Sequence, residues 1–269
     1  MIQNSQNGIT YYTFENLRKA QGVHHLFTTR LGGVSTGIYD SMNLSGILGD
    51  DQAAVEKNYQ RIASLDFPID DMVCAQQTHS CNVRLVTATD RGNRSVRKRG
   101  FTDIDGLVTN DPSVTLVTHY ADCVPLYFYD PVMRAIGLSH AGWRGTVGQI
   151  GVNTVQAMIE NFDSNPRDIL VGIGPSICKD CFEVGNEVAA EFVHTLPWAT
   201  NFITPCAEKP DKSYIDLQGI NRQSLINVSV AADNIELPGI CTKENSDIFY
   251  SHRVAGRARG SLAAFLRLT

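Results

Sequence analysis

No stretch of this 269-residue chain stays apolar for the roughly 18 residues that a membrane-spanning helix requires, so no membrane partner is expected. Positive charge is in short supply. The 23 lysines and arginines stand against 28 aspartates and glutamates, a formal net charge of −5, and no global basic field points to nucleic acid as a partner. The polar stretch Met1–Thr10 lacks the basic-then-apolar layout of an export signal, and a cytoplasmic protein is expected. The cysteines number seven, an odd count, which argues against a disulfide framework in that compartment and for mostly buried, small apolar side chains. Cys178 and Cys181 form a CxxC with no second one to match it. Alone, that spacing reads as half a zinc site or a redox pair, and a structural role is favoured. There is no internal repeat, no low-complexity linker and no Gly-Lys-Ser/Thr ending of a phosphate loop.

What is present is an ordinary globular composition in a chain long enough to bury a large core. Alternation and turn residues predict strands over 25–30, 72–76, 83–86, 106–109, 114–119, 125–129, 135–140, 169–173, 248–250 and 261–268. Helical spacing covers 50–65, capped by Asp50 or Asp51, then 147–162, 183–194 and 217–232. The loop 90–100 is rich in arginine and glycine, a solvated run or a lid over an anion. Strands and helices mix without a strict βαβ rhythm. The expected class is α/β (α+β), one domain over 1–269, with helices layered on a mixed β-sheet.

Chemistry concentrates in three short segments. Gln77-Thr78-His79-Ser80, Ala121-Asp122-Cys123-Val124-Pro125 and Ser139-His140-Ala141-Gly142-Trp143-Arg144-Gly145 supply two imidazoles and one thiolate. That is a ligand set for a tetrahedral zinc with one position open to water or substrate. Asp122, beside Cys123, is a candidate proton carrier or ligand orienter. After His140, two glycines permit close backbone approach, Trp143 offers a platform and Arg144 a bidentate anion clamp. The Gln77 amide can bind a polar group on a ligand. Arg30, at a strand end before Leu31-Gly32-Gly33, can reinforce an anion nest. Phe249-Tyr250-Ser251-His252-Arg253 joins aromatics to a cation, which suits a stacked base or sugar. Each segment also has a plain reading as core or turn; their coincidence carries the argument. His24, His25, His119, His194 and His252 lack comparable settings, His119 being expected as structural.

Taken in order, TTRLGGVS (28–35), QTHS (77–80), DIDGLVT (103–109), ADCVPL (121–126), SHAGWRGT (139–146), GPSIC…CFEVG (174–185), YIDL (214–217) and FYSHR (249–253) span nearly the whole chain. This series resembles the laccase-domain purine nucleoside phosphorylase family, whose members are also described as polyphenol oxidases or peptidoglycan-editing factors. ADC with HAGWRG is the most specific part. The resemblance implies a layered α/β domain and a zinc held by the residues matching His79, Cys123 and His140. It also implies phosphorolysis of adenosine, inosine, guanosine and methylthioadenosine, with adenosine deamination. Two departures stand out. Ser80 occupies a position where glycine is common, and Val254-Ala255-Gly256-Arg257 replaces a second arginine followed by Asp-Gly.

On this reading the protein is a zinc enzyme acting on a purine nucleoside and phosphate. Arg30 and Arg144 hold the anion, Gln77, Trp143 and Arg253 hold the nucleoside, and Asp122 moves the proton. Three alternatives use the same residues. One is a copper phenol oxidase, since copper binds such a site more tightly than zinc, although clustered histidines for several coppers are not found. Another is a cysteine hydrolase with Cys123 as nucleophile and His140 as base. The last is a nucleoside-binding protein without turnover. The sequence sets no oligomeric state.

Overall fold

The computed structural model describes residues 1–92 and 101–269. The arginine-rich part of the 90–100 loop, from 93 on, lies outside the described residues. In chain order the strands are β1 (Ile2–Gln6), β2 (Ile9–Thr13), β3 (Val23–Thr28), β4 (Met72–Cys74), β5 (Val83–Leu85), β6 (Gly106–Thr109), β7 (Thr115–Tyr120), β8 (Val124–Asp130), β9 (Ala135–Ala141), β10 (Leu170–Ile173), β11 (Glu183–Gly185), β12 (Ile203–Pro205), β13 (Lys212–Ile215), β14 (Ile235–Glu236) and β15 (Leu262–Leu268). The helices are α1 (Glu15–Lys19), α2 (Gln52–Ala63), α3 (Trp143–Val147), α4 (Ile150–Phe162), α5 (Asn186–Thr195), α6 (Leu217–Asn227) and α7 (His252–Ala255). None of the described helices is long and apolar enough to cross a membrane.

Two mixed six-stranded sheets form, ordered β1-β2-β3-β15-β7-β4 and β14-β10-β8-β9-β6-β5, beside a small sheet β11-β13-β12. Their stacking follows from the period-two alternation of the strands. In β8, Val124, Leu126 and Phe128 face a core shared with α4, α5 and α6, whereas Tyr127 and Tyr129 face the other way. In β15, Leu262, Ala264 and Leu266 join Tyr127 in that second core, while Ala263 and Phe265 turn to a third core packed under α2. The two large sheets therefore lie face to face, with helices on both outer surfaces. This differs from a single sheet carrying all the helices. Strands apolar on both faces need a cover on each, and here the second sheet supplies one of them.

Element by element, α2 is capped by Asp51, whose carboxylate accepts from the Ala53 amide at 3.1 Å. The segment 147–162 splits at Gln149, which adopts the left-handed region at φ 56°. Residues 183–185 are strand rather than helix, because α5 begins only after Gly185. The helix expected over 217–232 is α6, which ends at Asn227. Residues 248–250 form no strand. Ile248 and Phe249 return their amides to the Asn245 carbonyl in a turn, and the aromatic rings of Phe249 and Tyr250 are core. The β1–β2 hairpin turns on Asn7-Gly8, both at positive φ, an Asn-Gly signal of its kind.

His25 is buried beneath this first sheet, and its Nε2 accepts the Phe14 amide at 2.8 Å. Burial, and then the neighbouring His24, push its pKa down from 6.5 to about 3. The unfolded chain therefore binds one more proton than the fold between these two values. Stability conferred by neutral His25 is complete above about pH 6.5 and falls by ~1.4 kcal/mol per unit as pH drops through the window. NMR titration of the His25 ring is expected to show it neutral at pH 5, where a solvent-exposed imidazole is protonated.

Candidate metal centre and active-site cleft

Each of the two large sheets contributes to the cleft. His79 lies in the loop after β4 of the first sheet. Cys123 sits in the short crossing from β7 to β8, where the chain passes from one sheet to the other. His140 is near the end of β9 in the second sheet, opposite Pro125. The candidate ligand atoms of these three residues lie within 4.8 Å of one another. Cys123 Sγ is 3.8 Å from His79 Nε2. A tetrahedral zinc with ordinary Zn–S and Zn–N lengths sets that separation at ~3.5 Å. His140 is buried, Cys123 half-buried and His79 exposed, so the group opens to one side.

Asp105, just before β6, organises two of the three. Its buried carboxylate accepts from His140 Nδ1 at 2.8 Å and from the His79 amide at 3.1 Å through one oxygen. The other oxygen accepts from the Thr78 and Ser80 amides at 3.0 and 2.9 Å and from the Ser80 hydroxyl at 2.9 Å. Three successive amides converge on one carboxylate because His79 takes the left-handed conformation, φ 66°. With Nδ1–H donated to a carboxylate, His140 presents Nε2 to the cleft, the arrangement typical of a metal-ligating histidine. Burial works against the charge on Asp105, but the His140 hydrogen bond and charge and the amides of Thr78 and Ser80 outweigh it and hold the carboxyl below its usual range. Asp105 lies inside the DIDGLVT motif, yet its spacing gives no hint of these contacts.

The same atoms influence one another electrostatically. Burial raises the Cys123 thiol, but the charge and hydrogen bonds of His140 and His79 overcome it and bring the pKa down to about 6. Burial lowers His140, but the Cys123 charge and the Asp105 hydrogen bond raise it to about 9. A thiolate and two nitrogens, with a carboxylate oriented behind one of them, suit a divalent cation of intermediate softness such as zinc or copper.

Two cavities, of about 310 and 280 Å³, meet at this group, and His79, Ala121, Cys123 and His252 line both. The larger is the more polar of the two, with Ser45, Gln77, His119, Ser261 and Arg259 on its walls. The other is more apolar, with Trp143, Ile177 and Phe182 beside Arg144 and Arg253. Arg144 is exposed and stacks on Trp143, its guanidinium 4.2 Å from the ring centroid. Arg253 donates to the carbonyls of Cys181 and Glu183 at 3.1 and 2.8 Å.

Three expected site residues are differently engaged. Asp122, at φ 81°, uses both carboxylate oxygens to accept from Thr242 Oγ1, Ser251 Oγ and the Arg253 amide, at 2.6, 3.0 and 2.7 Å. It borders the smaller cavity but is an anchor for the C-terminal segment. Gln77 spends its amide on the backbone of His119, donating at 2.9 Å and accepting at 2.8 Å. Arg30 lies in a neighbouring cavity, stacked on Tyr250 and tied to the carbonyls of Asp40 and Ser246. A flanking turn residue, an amide and a strand-end cation look alike in sequence whether they face a ligand or the backbone.

Two further residues border the cleft. His252, which its sequence neighbourhood sets apart from the metal-ligating histidines, lines both cavities, and its place beside Arg253 in FYSHR is the sign of it. Arg259 lines the larger cavity, half-buried, and its Nε has no hydrogen-bond partner among the described residues. Burial lowers the pKa of its guanidinium, against the attraction of Asp122 and Cys123. No residue pattern around it announces this.

Paired mixed sheets with a His₂Cys group where they meet define an α/β protein with a candidate metal centre. The chain belongs to the multi-copper polyphenol oxidoreductase laccase family, whose sequence model matches residues 24–269. It is 38% identical over 242 residues to purine nucleoside phosphorylase YlmD of Bacillus subtilis, covering 89% of this chain and 86% of that one. It is 34% identical over 241 residues to adenosine deaminase RL5 from an unknown prokaryotic organism, covering 89% and 91%. The crystal structure of Bacillus licheniformis hypothetical protein YfiH superposes with a TM-score of 0.91 at 31% identity, covering 99% of each chain.

Two substitutions test the organisation of the centre. Asp105→Asn keeps the size but faces an amide group toward donors, and is expected to weaken zinc binding ~10–100-fold in competition with a chromophoric chelator. A Cβ on Gly142 would stand 2.5 Å from His79 Cδ2 and 3.3 Å from Cys123 Sγ. Gly142→Ala is therefore expected to displace the His79 ring and lower affinity in the same titration.

Proposed function

We propose that the protein is a zinc-dependent purine nucleoside phosphorylase that also deaminates adenosine. The observation that carries this reading is the His79–Cys123–His140 group at the junction of a polar cavity and an aromatic, arginine-flanked one. The relatives named for each activity support it. Bound zinc would supply positive charge next to the substrates and acidify a coordinated water.

The chain's own residues account for the rest. The apolar surfaces of Trp143, Ile177 and Phe182 suit the purine, with Arg144 and Arg253 at its polar rim. Phosphate suits the larger cavity, which Arg259, Ser45 and Ser261 line. In phosphorolysis a phosphate oxygen bonds to the anomeric carbon while the glycosidic bond breaks. The electron pair leaves with the base, which takes a proton. His252, open to both cavities, is placed to carry that proton, since Asp122 is held by three donors. In deamination, water adds to the amine-bearing ring carbon and ammonia leaves, and the same histidine can relay the proton.

A metal-free cysteine hydrolase is a second reading, favoured by the low pKa of Cys123 beside His140. It requires rapid alkylation of Cys123 in the active protein, whereas zinc over the sulfur makes alkylation slow. Copper phenol oxidation asks for more clustered histidine than occurs among the described residues. Among the described residues, one of the two candidate metal groups contains histidine.

Zinc-loaded protein is expected to convert inosine to hypoxanthine and ribose 1-phosphate only with phosphate present, and to release ammonia from adenosine without it. Absence of free base, ribose 1-phosphate and ammonia under all conditions overturns the proposal. Arg259→Met is expected to raise KM for phosphate at least ~10-fold, the loss of one charge-assisted contact, with a smaller change in KM for inosine.

A further inference from the structure

A second convergence of ligand-forming atoms lies behind the wall of the smaller cavity. Cys178, Cys181, Cys241 and Glu244 each bring one such atom to within 4.8 Å of the others. They come from two segments remote in sequence. Cys178 precedes and Cys181 ends the single helical turn Lys179–Cys181, while Cys241 and Glu244 lie in the turns before Phe249. The Ser176–Cys241 bridge and the Thr242 amide, bonded to the Ser176 carbonyl at 3.1 Å, hold the segments side by side.

The details are those of a thiolate site. Cys181 Sγ lies 3.8 Å from Glu244 Oε1, against ~3.5 Å for a sulfur and an oxygen on one tetrahedral zinc. The Cys178 amide points at Cys241 Sγ, 3.3 Å away, in the manner of backbone donors that support metal-bound sulfur. Cys181 and Cys241 are buried, Cys178 is half-buried and Glu244 is exposed, so three sulfurs approach from inside and a carboxylate closes from solvent. Apolar packing accounts for the sulfurs against Ile177 and Phe182, but not for a carboxylate aimed at them.

We propose that Cys178, Cys181, Cys241 and Glu244 form a structural site for a thiophilic divalent cation, zinc in the first instance, separate from the His79–Cys123–His140 group. Binding replaces three thiol protons, released to solvent, with one ion. The ion clips the 176–182 segment to the 241–244 turns. That clip fixes the wall bearing Ile177 and Phe182, and also the Cys181 carbonyl that receives Arg253. The proposal is independent of the reaction assigned to the cleft.

The test is metal content of the full-length chain, purified under reducing conditions, loaded with zinc and freed of loosely held ions. The wild type is expected to retain about two equivalents, and Cys123→Ser with His140→Ala about one. Cys178→Ser with Cys241→Ser is expected to retain about one, and the combination of all four substitutions about none. In the Cys123→Ser/His140→Ala background, cobalt is expected to give an intense sulfur-to-metal absorption band that Cys181→Ser removes and Glu244→Gln shifts. A chelator should also lower the Tm of that background. The inference is overturned if the background holds no ion while its six remaining thiols titrate as free. It is equally overturned if Cys178→Ser with Cys241→Ser, folded by circular dichroism, keeps the wild-type metal content.

Discussion

The buried carboxylate of Asp105 is the constraint on which the cleft depends. A carboxylate withdrawn from water is costly unless its lone pairs are satisfied, and this one is met by three consecutive amides, a hydroxyl and an imidazole. Those donors come from both large sheets. The His79 loop follows β4 of the first, and His140 ends β9 of the second, so one anion joins the sheets at the place where the candidate ligands meet. The cost of burying the charge is offset only when every donor is in place. The geometry of His79 and His140 is thereby coupled, and it is set before any ion arrives.

Asp122 does for the C-terminal segment what Asp105 does for the His79 loop. Its left-handed turn carries the chain from β7 to β8, placing Cys123 at the crossing. Its carboxylate then gathers Thr242, Ser251 and Arg253 from well over a hundred residues away. These bonds bring His252 and Arg253 to the cleft and set the 241–253 segment against the Cys178–Cys181 turn. Two acidic residues thus serve as scaffolding beside a site where acid–base chemistry was the natural expectation. The cleft's remaining groups are Arg259, whose Nη1 donates to the Gly260 carbonyl, and His252, open to both cavities.

Much of the fold was legible in local patterns. The strands β6 through β9 announce themselves through β-branched and aromatic runs broken by turn residues, and α2 through its aspartate cap. Breaks were harder. Gln149 and Gly185 interrupt helical spacing through backbone conformation, which hydrophobic periodicity does not register. At 248–250 the aromatic content of a buried turn imitates a strand, since both bury rings and only the hydrogen bonds differ. In the cleft, His79, Cys123 and His140 stood out because each sits in a segment dense with unusual residues. Gln77, Arg30 and Asp122 stood out for the same reason, yet their polar atoms are turned to the backbone or to neighbouring side chains.

The chain by itself determined which residues alternate between two apolar surroundings, where its turns fall and which side chains can ligate a metal or stack on a base, because these depend on residue type and near neighbours. Only the tertiary structure decided that the alternation builds two facing sheets, that Asp105 binds both histidine segments, that Arg259 is left with a free donor and that Cys241 and Glu244 join the CxxC. Those outcomes rest on contacts between segments far apart in sequence. Their distances are set by packing and by the need to satisfy buried charge, neither of which a local pattern encodes.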